Sequence, residues 1–225
     1  MHSRASEPPE KMSDFFDERS HGYDEHLRQS IPSFRAFYEA IAQPIPRTEE
    51  VLHILDIGCG TGLEFGPILQ RAPNARITGV DLSEKMLEQL QSKYVSRLGQ
   101  ISLIQGSYLQ MPFRQAKVDY GVSVMTLHHL LPGRKGRLYE KIRQALKAKG
   151  KYIEGDYVVS KEKEERMLKE YQERAGIMEG DGEGNYHVDI PLTMEMQREL
   201  LLRAGFAKVE VVWEEGEAAV YVAEA

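Results

Sequence analysis

The stretch that decides the fold is "HILDIGCGTGLEF", His53 to Phe65, in which an apolar run carrying Asp56 leads into Gly58, Gly60 and Gly62 at every second position. A strand that ends in glycines and opens a helix offers free backbone N–H groups and the positive end of a helix dipole. Glycine suits such a turn because a Cβ would hold a ligand away from the main chain. Two common uses of the turn lose ground on spacing. The dinucleotide fingerprint G-x-G-x-x-G requires a glycine where Leu63 stands, and the Gly-Lys-Ser/Thr of a P-loop is absent.

The next strand narrows the choice. "ARITGVD" ends at Asp81, 19 residues after Gly62. An acid at that point can accept hydrogen bonds from both hydroxyls of a ribose lying across the strand ends. Ser83 stands where it can cap the following helix, which leaves Asp81 available to a ligand.

Around this core, strands and helices alternate. Strands are expected at 51–57, 75–81, 101–105, 118–125 and 150–159, with helices near 62–71, after Ser83 and over 134–147. The repetition implies a mostly parallel, doubly wound sheet covered on both faces. Residues 13–43 read as two aromatic-rich helices broken at "SIPSF". Residues 160–177 read as a charged helix with a solvated face, followed by a Gly/Asp-rich loop. The two β-rich runs about Gly216 read as an antiparallel hairpin at the sheet edge.

Bulk composition sets the outer limits. The 225 residues suffice for one domain with appendages, and 41% hydrophobic with 28% charged residues is ordinary for a soluble globular chain. The polar start "MHSRASEPPEKM" lacks the apolar core of a secretory signal, and residues 1–12 are expected to be a disordered tail. A single cysteine, Cys59, fits a reducing compartment, so a cytoplasmic location is expected. The net charge of −6 argues against direct nucleic-acid binding, and no apolar run approaches the roughly 20 residues of a membrane helix.

"LDIGCGTG" followed by "GVDLSEKML" closely resembles the class I S-adenosylmethionine-dependent methyltransferases. "IQGSYLQMPF", "VDYGVSVMTLHHL" and "ALKAKGKYIEGD" are similar to that family's adenine-contacting turn, fourth strand with its exit loop, and the turn before strand 5. The resemblance implies a Rossmann-like, doubly wound, mostly parallel seven-stranded sheet with an antiparallel C-terminal hairpin. It implies S-adenosyl-L-methionine as cofactor and S-adenosyl-L-homocysteine as product. It divides the chain into an N-terminal helical lid at 13–45 and a cofactor-binding domain at 46–225, with a lid insertion at 160–192.

Carried over by position, the resemblance places Gly58, Gly60 and Gly62 along the methionine tail and ribose, and Asp81 on the ribose. Leu82 and Met86 would flank the adenine, with Gly106, Ser107 and Tyr108 along its edge. Met125 and Thr126 would approach the sulfonium, and Asp56 would orient the amino group. Cys59 would be a small turn residue of the same site, and the lid residues Tyr23 and Arg28 would complete it. Ser107 departs from the family, where an acid is common, and "AKG" departs from the usual proline and second glycine before strand 5.

Methyl transfer from a sulfonium needs alignment above all, and alignment can supply about 7–11 kcal/mol. An oxygen or nitrogen acceptor that carries a proton calls for a base. The candidates are His128, His129, Asp156 with Tyr157, and His187; no metal site is expected. Substrate choice should reside in the two lid segments, acting on a small-molecule acceptor, with oligomeric state left open. "FDERSHGYDEHLRQSIPSF" is also similar to the opening of carboxy-S-adenosylmethionine synthases of tRNA modification, a reading that wants a basic lid residue, Arg174, for the added carboxylate. A non-catalytic cofactor-binding protein is the remaining alternative.

Overall fold

The computed structural model describes residues 10–115, 117–175 and 186–225, with 174 and 175 described in backbone only. The strands are β1 His53–Ile57, β2 Arg76–Asp81, β3 Ile101–Gln105, β4 Val118–Val124, β5 Leu146–Tyr157, β6 Lys208–Glu215 and β7 Ala218–Glu224. They form one sheet in the order β3-β2-β1-β4-β5-β7-β6. Strands β1 to β5 pair in parallel, and β7 runs antiparallel to both β5 and β6. The order reverses between β1 and β4, which opens a crevice at the carboxyl ends of those strands.

Helices cover both faces because the central strands are apolar on both. The helices α3 Phe34–Ala42, α4 Phe65–Arg71 and α5 Glu84–Lys93 bury Ile41, Ile68 and Leu90 against Ile54, Val122 and Ile153. On the other face α6 Pro132–Ala145 and α8 Met194–Arg203 bury Leu138, Ile142 and Leu201 against Leu55, Ile57 and Tyr152. A further helix, α7 Lys161–Ala175, carries the charged run, and Tyr171 is its buried anchor.

Among the described residues the expected strands and helices are present, with shifted ends, while residues 176–185 of the expected Gly/Asp-rich loop region lie outside them. The helix after the glycine turn begins at Phe65 rather than 62, because Gly62 holds a φ of 70° that an α-helix cannot accommodate. Strand β5 starts four residues earlier than expected, pairing Leu146 with Val118. The aromatic N-terminal segment forms α1 Met12–Arg19, a 3-10 turn at Ser20–Gly22 and α2 Tyr23–Ser30, with α3 beyond the break. The break is at Ser33, whose φ of 45° is left-handed, next to Pro32. The expected tail at 1–12 lies outside the described residues up to residue 9. Beyond it, Lys11 bridges to Tyr186 and Met12 is buried.

The contact between α3 and the sheet depends on a missing side chain. A Cβ at Gly155 of β5 would overlap Ile41 Cδ1 and come within 2.8 Å of Phe37 Cζ, both fully buried. Overpacking of this kind costs about 1–3 kcal/mol. Gly155→Ala should therefore lower the unfolding free energy by that amount in a urea titration, without changing the slope of the transition.

Candidate functional site

The glycine turn is pinned to the end of β2. The N–H groups of Gly58 and Cys59 both donate to the Val80 carbonyl, at 2.8 and 3.1 Å. The Gly60 N–H donates to Asp81 Oδ2 at 2.8 Å, and the Ser83 N–H to Asp81 Oδ1 at 2.9 Å. All three glycines have positive φ. At Gly58 a Cβ would also collide with the Thr126 side chain, whose hydroxyl donates to the Gly58 carbonyl at 3.0 Å. Ser83 caps α5 as expected, accepting from the Met86 N–H at 3.1 Å.

The N-terminal helices clasp this turn. Ser83 Oγ donates to Asp17 at 2.5 Å, and Thr61 Oγ1 donates to Asp24 at 2.5 Å. Lys93 Nζ bonds the other Asp24 oxygen at 2.6 Å and the Thr61 carbonyl at 2.9 Å. Tyr23 is thereby held over Gly60, where a Cβ would meet only its ring edge at 3.9 Å.

Two cavities share a wall beneath the clasp. The smaller, about 50 Å³, is lined by Gly58, Gly60, Asp81, Leu82, Met86 and Tyr108 among others. The larger, about 550 Å³, is lined by Phe15, Arg19, His26, His128, His187 and Asp189 among others. Phe16, Tyr23, Met125 and His129 line both. Met125 holds a φ of 50°, a left-handed conformation that costs a side-chain-bearing residue roughly 1–2 kcal/mol. Its N–H donates to the Gly155 carbonyl at 2.8 Å, which fixes the strained residue at the partition.

The larger cavity gathers the histidines. His128 Nδ1 is 2.6 Å from Asp156 Oδ1, and Asp156 Oδ2 accepts from the N–H groups of Leu127 and His128, both at 3.0 Å. Burial works against an Asp156 carboxylate, but His128 and these donors outweigh it and hold the group below its usual range. Burial likewise lowers His128, and Asp156 more than compensates. His129 is lowered by burial and by His128, and His187 falls to about 4 through burial and the nearby His129. Phe15 stacks on His187 with ring centres 3.4 Å apart.

Under the turn lies a different pair. Asp56 is fully buried, and neither of its oxygens has a donor partner among the described residues. Burial first, and then the neighbouring Glu64, push Asp56 well above its ordinary range. Glu64, also buried, rises from 4.5 to about 7 through burial, moderated by its own backbone N–H and by Asp56. Two such carboxyls retain a proton between them until a cation reaches them.

Of the residues expected from sequence, His128, His129 and His187 meet in one cavity, with Asp156 behind them. Gly58, Gly60, Asp81, Leu82, Met86, Tyr108, Met125, Thr126 and Tyr23 line the smaller one. Others do not reach it. Arg28 lies on the outer side of α2, paired with Glu25 at 3.6 Å and set over the Phe34 ring. Ser107 Oγ accepts from the Leu109 N–H at 3.3 Å and lines a separate cleft with Arg137 and Lys141. Gly62 packs against Leu90, and Cys59 packs beneath the turn against Gly79, its thiol pushed up by burial. Gly106 donates its N–H to the Asp81 carbonyl but lines neither cavity. The side chain of Arg174 lies outside the described residues. Sequence reasoning missed Glu64, Asp17, Asp24 and Asp189, of which only Asp189 carried a signal, lying two residues after His187.

A methyltransferase domain model matches residues 54–150. The carboxy-S-adenosyl-L-methionine synthase of Wolinella succinogenes is 30% identical over 214 residues, 88% of each chain. An uncharacterized methyltransferase of a Geobacillus species is 25% identical, covering 96% of this chain and 94% of its own. The chain belongs to the class I S-adenosylmethionine-dependent methyltransferases. Among solved structures, a candidate O-methyltransferase from Nostoc punctiforme superposes with a TM-score of 0.71 at 20% identity; the match covers 98% of this methyltransferase and 63% of that chain. The DhpI complex with S-adenosylmethionine reaches 0.68 at 16% identity, covering 93% and 94%. Among the described residues of the methyltransferase, no helix is long and apolar enough to cross a membrane.

The methyltransferase's own residues fit its cofactor. The methionine tail of S-adenosylmethionine carries an ammonium, and the unpartnered Asp56–Glu64 pair lies beneath the turn that would receive it. A carboxyl raised by burial stabilises the fold fully below its unfolded value and loses that contribution as pH rises through its folded value. Without cofactor, thermal stability should therefore decline between pH 4.5 and about 7. Asp56→Asn should flatten that decline in calorimetric scans.

Proposed function

We propose that this enzyme transfers the methyl group of S-adenosylmethionine to a small-molecule acceptor held in the larger cavity. The observation that carries the reading is the shared wall, because Met125, Tyr23, Phe16 and His129 face both compartments. A sulfonium in the smaller compartment would supply an electrophilic methyl with a neutral thioether as leaving group.

On this reading Asp81 accepts the ribose hydroxyls on the lone pairs left free by Gly60 and Ser83. Leu82, Met86 and Tyr108 enclose the adenine. Asp56 and Glu64 receive the ammonium, and their shared proton leaves as it arrives. The clasp from α1 and α2 excludes water, and Phe15, Phe16 and Tyr23 give the acceptor an apolar, aromatic bed. A cavity of about 550 Å³ takes a compact metabolite rather than a polymer.

A second reading is formation of carboxy-S-adenosylmethionine, favoured by the relatives of that name. It needs a cation for the added carboxylate. Among the described residues Arg19 is the arginine on the larger cavity, and it is 3.2 Å from Glu10 and lies over the Phe15 ring. That engagement favours methyl transfer.

Incubating the enzyme with methyl-labelled cofactor and a panel of hydroxy-, amino- and thiol-bearing small molecules tests the reading. Label should leave the cofactor, and S-adenosylhomocysteine should accumulate. A nucleoside heavier by one carboxyl group in the intact-mass spectrum would instead establish the second reading. Asp81→Ala removes charge-assisted bonds worth about 1.5–3 kcal/mol, so its affinity for S-adenosylhomocysteine should fall roughly 10–100-fold by calorimetry. Removing the clasp with Asp17→Ala and Asp24→Ala together should raise the cofactor's dissociation rate and leave the fold intact by circular dichroism.

A further inference from the structure

The larger cavity contains a constellation that cofactor binding does not use. His129 Nδ1, His128 Nε2 and His187 Nε2 lie 3.3, 3.7 and 3.9 Å from the same oxygen, Asp189 Oδ1. The rings of His128 and His129 are 4.0 Å apart, and those of His129 and His187 are 4.7 Å apart. Ligand atoms of His128, His129 and Asp189 all lie within 4.8 Å of one another.

We infer that His128, His129 and Asp189 form a site for a divalent transition-metal ion of the Zn²⁺ type, with His187 as a fourth donor. Imidazole nitrogens with one carboxylate suit such borderline ions, at bond lengths of about 2.0–2.2 Å. Those lengths put tetrahedral ligand atoms about 3.4 Å apart, so the constellation closes by an inward shift of about 1 Å.

The surroundings have the form of a metal site's outer shell. Asp156 receives the Nδ1–H of His128 at 2.6 Å, which fixes the tautomer and leaves the Nε2 lone pair facing Asp189. A carboxylate behind a ligating imidazole is the usual arrangement for orienting it. Asp156 is itself immobilised by two backbone N–H groups, so His128 cannot turn away. Asp189 is half-exposed at the cavity edge, which provides an entry path for the ion. His187 is braced by its Phe15 stack and by its N–H bond to the Glu10 carbonyl at 2.9 Å.

The site faces the cavity that the methyl-transfer reading assigns to the acceptor, so an ion there would bind an acceptor oxygen, nitrogen or sulfur beside Met125. Metal binding itself does not require that reading and is measured without any acceptor. Full-length protein stripped with chelator is titrated with Zn²⁺ and passed through gel filtration, and the metal is counted by plasma mass spectrometry. A parallel titration with Co²⁺ is followed by visible absorption.

Stoichiometric Zn²⁺ uptake, lost in His129→Asn and in Asp189→Asn, is the expected result, with intense Co²⁺ bands reporting nitrogen-rich, low coordination. Asp156→Asn should weaken Zn²⁺ roughly 10–100-fold while leaving S-adenosylhomocysteine affinity unchanged. No uptake by the wild-type chain overturns the site, as does uptake that survives both ligand substitutions. Should those variants fail to fold, long-range ¹H–¹⁵N spectra of the wild-type imidazoles decide: Zn²⁺ must shift the signals of His128 and His129, and unshifted signals overturn the assignment. Failure of methyl transfer in the presence of bound Zn²⁺ would count against the proposed reaction and not against the metal.

Discussion

The hydrogen bonds that tie the glycine turn to the end of β2 are the constraint on which the site depends. Val80 accepts from Gly58 and Cys59, and Asp81 accepts from Gly60 and Ser83. Together they hold a turn with three left-handed glycines against the end of β2 and the cap of α5. A side chain at Gly58 would break the arrangement twice, through its φ and through the collision with Thr126 at the exit of β4. The turn therefore couples the ends of β1, β2 and β4, where the order of the sheet reverses. The same carboxylate that would read a ribose also holds the floor on which the ribose would rest.

The clasp by α1 and α2 follows from that floor. Asp17 reaches Ser83 at the start of α5, and Asp24 reaches Thr61 in the turn and Lys93 at the end of α5. Two short helices, each of 8 residues, are marginal alone and gain their stability from such docking. They bring Phe16 and Tyr23 over both cavities and Phe15 over the larger one. The aromatic segment expected from the sequence to form a lid thus lines both cavities through Phe16 and Tyr23. Leu27 and Ile31 are the part of it that does join the core.

The sheet and its glycine turn were legible because they rest on sequence patterns that repeat or stand close together. Alternation of strand and helix, the glycine turn and the Ser83 cap each act within a few residues, and Asp81 stands at the recognisable end of the next strand. Element ends shifted where a single torsion, at Gly62 or Ser33, overrode the hydrophobic pattern. What was not legible depends on distance in the chain. Glu64 meets Asp56 only once the turn between them is folded, and Asp189 is sixty residues from His129, the imidazole it approaches most closely. Arg28 does not reach the cavity because it pairs with Glu25 of its own helix and lies over the Phe34 ring.

The histidine cavity also rests on a polar stripe that strand alternation creates beneath it. Residues 152, 154 and 156 of β5 point to the same face of the sheet. Tyr152 bonds Ser123 at 2.6 Å and Glu154 at 2.9 Å, and Tyr139 bonds Glu154 at 2.8 Å. Glu154 pairs with Lys135 at 2.8 Å, both fully buried. Removing one partner of such a pair costs about 3–5 kcal/mol, whereas replacing both with apolar groups is often neutral. Stability alone therefore does not account for an ion pair here. Lys135 does more than neutralise Glu154, since its charge also favours the Asp156 carboxylate one step along the strand. His128 and then Lys135 keep Asp156 ionised in a buried position, Asp156 in turn sets the His128 tautomer, and His128 presents one lone pair to the cavity.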